Sequence, residues 1–187
     1  MSAADLSGLF AARTAGLRSS FIRDILAVAN DPAVISFAGG LPDPAHFPAA
    51  ELAAATERVL REAGPGALQY GPSEGLAGLR EWIAERYRER LGLEVAPEEV
   101  LITHGSQQAL DLLGKVLLDT GDGVVIEEPG YLGAIQAFSL YRPRFLPVPV
   151  GPGGMDTDRL SDALTQAPKL LYCVPEYQIP GGISYPA

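Results

Sequence analysis

The feature that most limits what this chain can fold into is an alternation in its second half. Apolar runs VLIT, GVVIEE, RFLPVPV and KLLYCV are separated by stretches with helical spacing near Ser106 to Asp119, Tyr131 to Tyr141 and Asp156 to Ala167. Short apolar runs between amphipathic segments give a βαβαβαβ rhythm, the pattern of a largely parallel sheet covered by helices. In such sheets ligands collect at the C-terminal ends of the strands, where the βα loops converge. The loops after Thr103, Glu127 and Val174 are therefore the ones expected to carry function.

The first half is organised differently. Phe21, Ile22, Ile25, Leu26 and Ala29 fall on one side of a predicted short helix, from which Arg23 projects. ISFAGGLPDPAHF, from Ile35 to Phe47, has too many glycines and prolines for a regular element. Two helices are predicted next, Pro48 to Ala63 and Gly75 to Leu91, with GPGALQYGPSEG between them.

Charge and cysteine content narrow the partners. A formal charge of −9 provides no basic field for nucleic acid or anionic lipid, although local backbone amides can still hold one phosphate. Cys173 is the single cysteine, and the N-terminal MSAADLSGLF lacks the pattern of a secretory signal, so a cytoplasmic protein is expected. No apolar run approaches bilayer length, and neither a membrane partner nor a metal site is expected.

At the first loop, Thr103-His104-Gly105-Ser106-Gln107-Gln108 runs into a helix start. Free amides there, with the Ser106 hydroxyl and the helix dipole, suit a phosphate monoester; the same residues would also serve as a plain turn and cap. Nucleotide-binding glycine fingerprints are absent. The second loop, Glu127-Glu128-Pro129-Gly130-Tyr131, brings an aromatic ring that could stack on a flat heterocycle or simply pack. The third, Val174 to Gly182, taken singly is only a turn.

Together, a phosphate cradle, a stacking ring and a polar turn at one sheet edge are far more specific. ISFAGGLPDPAHFP, ALQYGPSEGLAGLREWIAERY, VLITHGSQQALDLLGKVLLDTGD and EEPGYLGAIQAF resemble, in order and spacing, the signature stretches of class I/II, fold-type I aminotransferases dependent on pyridoxal 5'-phosphate. They are most similar to the branch of the 2-aminoadipate and kynurenine/aminoadipate aminotransferases and the aminotransferase-like domains of certain regulators. The resemblance implies an α/β fold holding the N-terminal part of the large domain, with a mostly parallel sheet flanked by helices. Residues 1–47 would be an N-terminal helix and substrate-side loop, and 48–187 an incomplete cofactor-binding domain.

By the same resemblance, Gly105, Ser106 and Gln107 hold the cofactor phosphate, Tyr131 stacks on its ring, and Tyr70 reaches the phosphate of the neighbouring subunit in a homodimer. Gly39 and Gly40 lie beside the substrate carboxylate, and Arg23 is a candidate to pair with a distal carboxylate. Amino acid and 2-oxo acid would be the substrates, exchanged in ping-pong order. Two departures stand out. Where the family reads Q-N-P-T-G, this chain has Gln178-Ile179-Pro180-Gly181-Gly182, so the asparagine that donates to the cofactor is replaced by a side chain that cannot. The covalent lysine of the family, its pyridine-nitrogen aspartate and its carboxylate-binding arginine would all lie beyond Ala187. Lys115 and Lys169, the only lysines, sit in other contexts. The expectation is a truncated chain inactive alone, with a pseudoenzyme or regulatory binding module of the same fold as the alternative.

Overall fold

The computed structural model describes residues 7–14 and 42–186. Contacts divide the chain into two compact units, Arg18–Ile102 and the pairing of Met1–Leu17 with Thr103–Ala187. The predicted helix bearing Arg23 lies outside the described residues, as do Gly39 and Gly40.

In the unit Arg18–Ile102, helix α1 spans Ala49–Ala63 and α2 spans Ala77–Leu91, close to their sequence-based limits. A short turn at Pro44–His46 is capped by Asp43, whose carboxylate accepts from the Ala45 amide at 2.9 Å. α1 buries no residue fully, and α2 buries only Ala84, so neither helix is packed into a dense core among the described residues. Arg86 lies over the Trp82 ring at 5.5 Å, a cation–π contact on the surface of α2.

Val100 to Thr103 was expected to be the first strand of the sheet; it is extended but pairs with no strand among the described residues. Its backbone bonds go elsewhere, because the Ile102 amide donates to the Glu74 carbonyl at 2.9 Å and so serves a loop rather than a ladder. The first of the three expected strand-end loops therefore does not follow a sheet strand.

The other unit holds a four-stranded sheet in the order β3-β2-β1-β4, with β1 at Gly123–Glu128, β2 at Arg144–Gly151, β3 at Gly154–Met155 and β4 at Leu170–Tyr172. β1 pairs in parallel with both β2 and β4, and β3 closes a small antiparallel hairpin onto the end of β2. That hairpin is absent from the sequence reading. β1 is buried from Gly123 through Glu127, as expected of a central parallel strand with both faces covered.

Successive side chains of β1 enter different cores. Val124 joins Leu110, Leu118, Ala134, Ala137 and Phe138, which come mainly from helices α3 (Ser106–Leu117) and α4 (Leu132–Ser139). Val125 joins Leu146, Val148 and Ala163, the last from α5 (Thr157–Leu164). The sheet is thus flanked by α3 and α4 on one face and by α5 on the other. Asp156 starts α5 by accepting from the Asp158 and Arg159 amides, each at 3.0 Å. On β2, Leu146 and Val148 are buried while Pro147 and Pro149 are exposed; the Pro149 carbonyl accepts from the Asp156 amide at 2.9 Å, on the side away from β1.

Candidate functional site

Two helix starts meet beside the C-terminal end of β1. α3 begins at Ser106 after Gly105, whose φ of +83° is a conformation that side chains resist. No side chain caps this helix start, and Gly105, Ser106 and Gln107 are exposed. Space over Gly105 is open, since a Cβ there would meet nothing within 4 Å. Uncapped first-turn amides at the positive end of a helix dipole, facing open space, are suited to an anion. On the flank, the His104 amide donates to Gln108 Oε1 at 2.6 Å.

α4 begins just after Tyr131. The Tyr131 ring lies directly against Gly133, so closely that a Cβ on Gly133 would fall 2.7 Å from its Cε1 and Cζ. Its body packs on the core around Phe138, and Tyr131 is half-buried. The two helix starts are tied together by one bond: Gln107 Nε2 donates to the Gly133 carbonyl at 3.1 Å. Gln107 thereby spends its side chain on the seat of the Tyr131 ring and leaves its backbone amide to the helix terminus. Of the residues singled out in the sequence, Gly105, Ser106, Gln107 and Tyr131 come together in this way. Tyr70 belongs to the other unit and is fully exposed, at 100%.

Sequence reading missed the buried polar centre of the site. Glu127, 1% exposed at the end of β1, accepts from the Val174 amide at 3.1 Å and the Tyr185 hydroxyl at 2.6 Å through Oε1, and from Gln178 Nε2 at 3.2 Å through Oε2. Gln178 is equally buried and also donates to the Pro129 carbonyl at 2.7 Å. The available signal was a glutamate inside an otherwise apolar central-strand run, where an unpartnered carboxylate would be very costly.

Burial, and then the bond to Glu127, push the Tyr185 hydroxyl well above its ordinary range; burial likewise raises Cys173 and Tyr172. Because the folded pKa of Tyr185 exceeds its unfolded value, its stabilising contribution is complete below the unfolded pKa and is lost as pH rises toward the folded one. Tyr185→Phe should therefore flatten the fall of the urea midpoint above about pH 10 relative to the parent chain. Parallel slopes in the two proteins would show that the Tyr185 bond contributes nothing.

Among the described residues no helix is long and apolar enough to cross a membrane. Neither lysine stands at the site. Lys115 lies on α3 with its Nζ 3.6 Å from Asp111, and Lys169, at the opposite end of the sheet, pairs with Asp122 at 2.7 Å.

Comparison with known proteins gives a consistent picture. Residues 33–174 match the model of the family described as aminotransferase class I and II. The chain is 52% identical over 167 residues to a 2-aminoadipate transaminase of Thermus thermophilus, covering 89% of this chain and 41% of that protein. Among solved structures, LysN, the alpha-aminoadipate aminotransferase of Thermus thermophilus, complexed with N-(5'-phosphopyridoxyl)-L-leucine, matches with a TM-score of 0.85 and 49% identity over 98% of this chain and 44% of that one. The Pyrococcus horikoshii kynurenine aminotransferase, in complex with PMP, matches with a TM-score of 0.88 and 35% identity over 98% of this chain and 46% of that one. The chain spans less than half the length of these relatives.

Proposed function

This chain belongs to the class I and II aminotransferase family, and from that premise we propose that it supplies the phosphate-holding and ring-stacking side of a pyridoxal-phosphate-dependent transaminase. The observation that carries the reading is the bond from Gln107 to Gly133, which joins an exposed, uncapped helix start to the seat of an aromatic ring.

The residues fit the group. The first-turn amides of α3 and the Ser106 hydroxyl would hold the phosphate, and Tyr131 would stack on the pyridine ring. When bound, pyridoxal phosphate supplies an electron sink that allows an amino group to leave one carbon skeleton and join another. The described residues bind and orient; neither lysine is placed to form a covalent bond, as both are engaged in ion pairs away from Tyr131. Transfer between an amino acid and a 2-oxo acid, in a homodimer to which Tyr70 contributes across subunits, is the activity proposed for the whole protein. Residues 48–187 would be part of its cofactor domain and the cytoplasm its compartment, with no nucleic-acid partner. Arg23 and the likeness to 2-aminoadipate transaminase favour acidic substrates, with Gly39 and Gly40 beside the substrate carboxylate.

Ile179 favours a second reading, a binding module without turnover. It is 55% exposed at the turn where the family places a donor, and its side chain has no polar atom to offer.

Equilibrium dialysis with pyridoxal phosphate tests the holding role. Ser106→Ala should weaken binding about tenfold to a hundredfold, as expected for one lost hydrogen bond to a charged group, and Ser106→Asp should abolish it by placing a carboxylate in the cradle. Equal binding by the parent chain and Ser106→Asp would refute the cradle. Borohydride treatment should label Lys115 and Lys169, with side chains 61% and 47% exposed, no more with pyridoxal phosphate than with pyridoxal lacking the phosphate. Selective labelling of either by the phosphate ester would overturn the assignment of both as structural.

A further inference from the structure

Gln178 lies in the turn after β4, yet its side chain is directed into the loop that leads from β1 to Tyr131. Its amide nitrogen donates to Glu127 Oε2 at 3.2 Å and to the Pro129 carbonyl at 2.7 Å, while its Oε1 accepts from the Gly181 amide at 2.6 Å. Its backbone closes the turn on itself, donating to the Ile183 carbonyl at 2.8 Å and accepting from the Gly182 amide at 2.5 Å. Both amide protons and the carbonyl oxygen of a side chain only 1% exposed are therefore used, divided between two loops that are distant in sequence. Glu127 fixes the orientation of that amide. Its other oxygen is occupied by Val174 and Tyr185, which leaves Oε2 as an acceptor aimed at Gln178.

We propose that Gln178, oriented by Glu127, is a positioning residue: it locks the Pro129–Tyr131 segment to the Gly181–Ile183 turn, so that the stacking ring and the residue at position 179 are held in one fixed relation. The consequence for a bound ring rests on the cofactor reading above. The lock itself does not.

A side chain that merely filled space would stabilise its own turn without linking it to the other loop. Removing Gln178 should instead free both together, because the Pro129 carbonyl and the Gly181 amide lose the same partner. The test is amide hydrogen exchange on the full chain without ligand, for the parent, Gln178→Leu, Glu127→Gln and the double variant. In Gln178→Leu, exchange should quicken about tenfold at Gly181 and Gly182, and in step at Ala134 and Ile135, whose amides hang on the Tyr131 carbonyl. Glu127→Gln turns one acceptor oxygen into a donor group and should loosen the same two segments, with the double variant no faster than the worse single one.

Faster exchange confined to Gly181 and Gly182, or additive effects in the double variant, would overturn the proposal. Should Gln178→Leu not fold, Gln178→Asn, which keeps the amide but is too short to span both loops, is read by the same criterion. Pyridoxal phosphate is then added separately. Loss of its induced circular dichroism band in Gln178→Leu, with the phosphate still held, connects the lock to the ring, whereas a parent chain that binds no pyridoxal phosphate refutes the cofactor reading and leaves the exchange result standing.

Discussion

Phe138→Ala is expected to bring the sheet-bearing unit close to unfolding. Phe138 is 1% exposed, meets Leu110, Leu118, Val124 and the alanines of α4, and stands edge-on to the Tyr172 ring with centroids 6.0 Å apart. Replacing a buried phenylalanine by alanine costs about 3–5 kcal/mol, the lost aromatic pair included. Domains of this kind are stable by only about 5–15 kcal/mol, so such a loss is a large share of the whole. Val116→Ala, on a side chain 78% exposed on α3, should change stability by less than about 0.5 kcal/mol. Urea unfolding followed by circular dichroism separates the two, and similar midpoints for both variants would mean that the core is not centred on Phe138.

Gly133→Ala should act on binding rather than on stability. The new methyl would fall 2.7 Å from two carbons of the Tyr131 ring and 2.8 Å from its hydroxyl. The far end of a side chain can swing away from such a contact, and alanine is favoured over glycine within a helix by up to about 1 kcal/mol. The fold should therefore tolerate the change while the ring leaves its seat. Loss of a stacking contact worth about 1.5 kcal/mol weakens binding roughly tenfold, so pyridoxal phosphate affinity should fall by about that factor with the thermal midpoint almost unchanged. Unchanged affinity would show that the ring position against Gly133 does not matter to the ligand.

What could be read from the sequence, and what could not, follows from the range of the interactions involved. GVVIEE reads as a central parallel strand because near-continuous apolar character is forced on any strand covered on both faces, and Gly123–Glu128 is that strand. Gly105, Ser106 and Tyr131 are legible because each sits at a helix start whose chemistry is local. VLIT misleads, since apolar character says that a segment is suited to a ladder but not that a partner exists, and here the Ile102 amide goes to Glu74 instead. The pairing of Glu127 with Gln178 joins residues 51 apart in the chain, and nothing near either one announces the other. The side-chain role of Gln107 is hidden for the same reason, its acceptor being 26 residues away.

The prolines of β2 have one more consequence. On the side away from β1, no strand among the described residues pairs with β2 before Val150, so the backbone from Arg144 to Val148 forms an open border of the sheet. Pro147 and Pro149 share the parity whose peptide groups face that border, and neither has an N–H to give. A foreign strand drawing alongside would find every second rung missing, which keeps folded molecules from zipping together there and makes this flank a built-in guard against fibre growth.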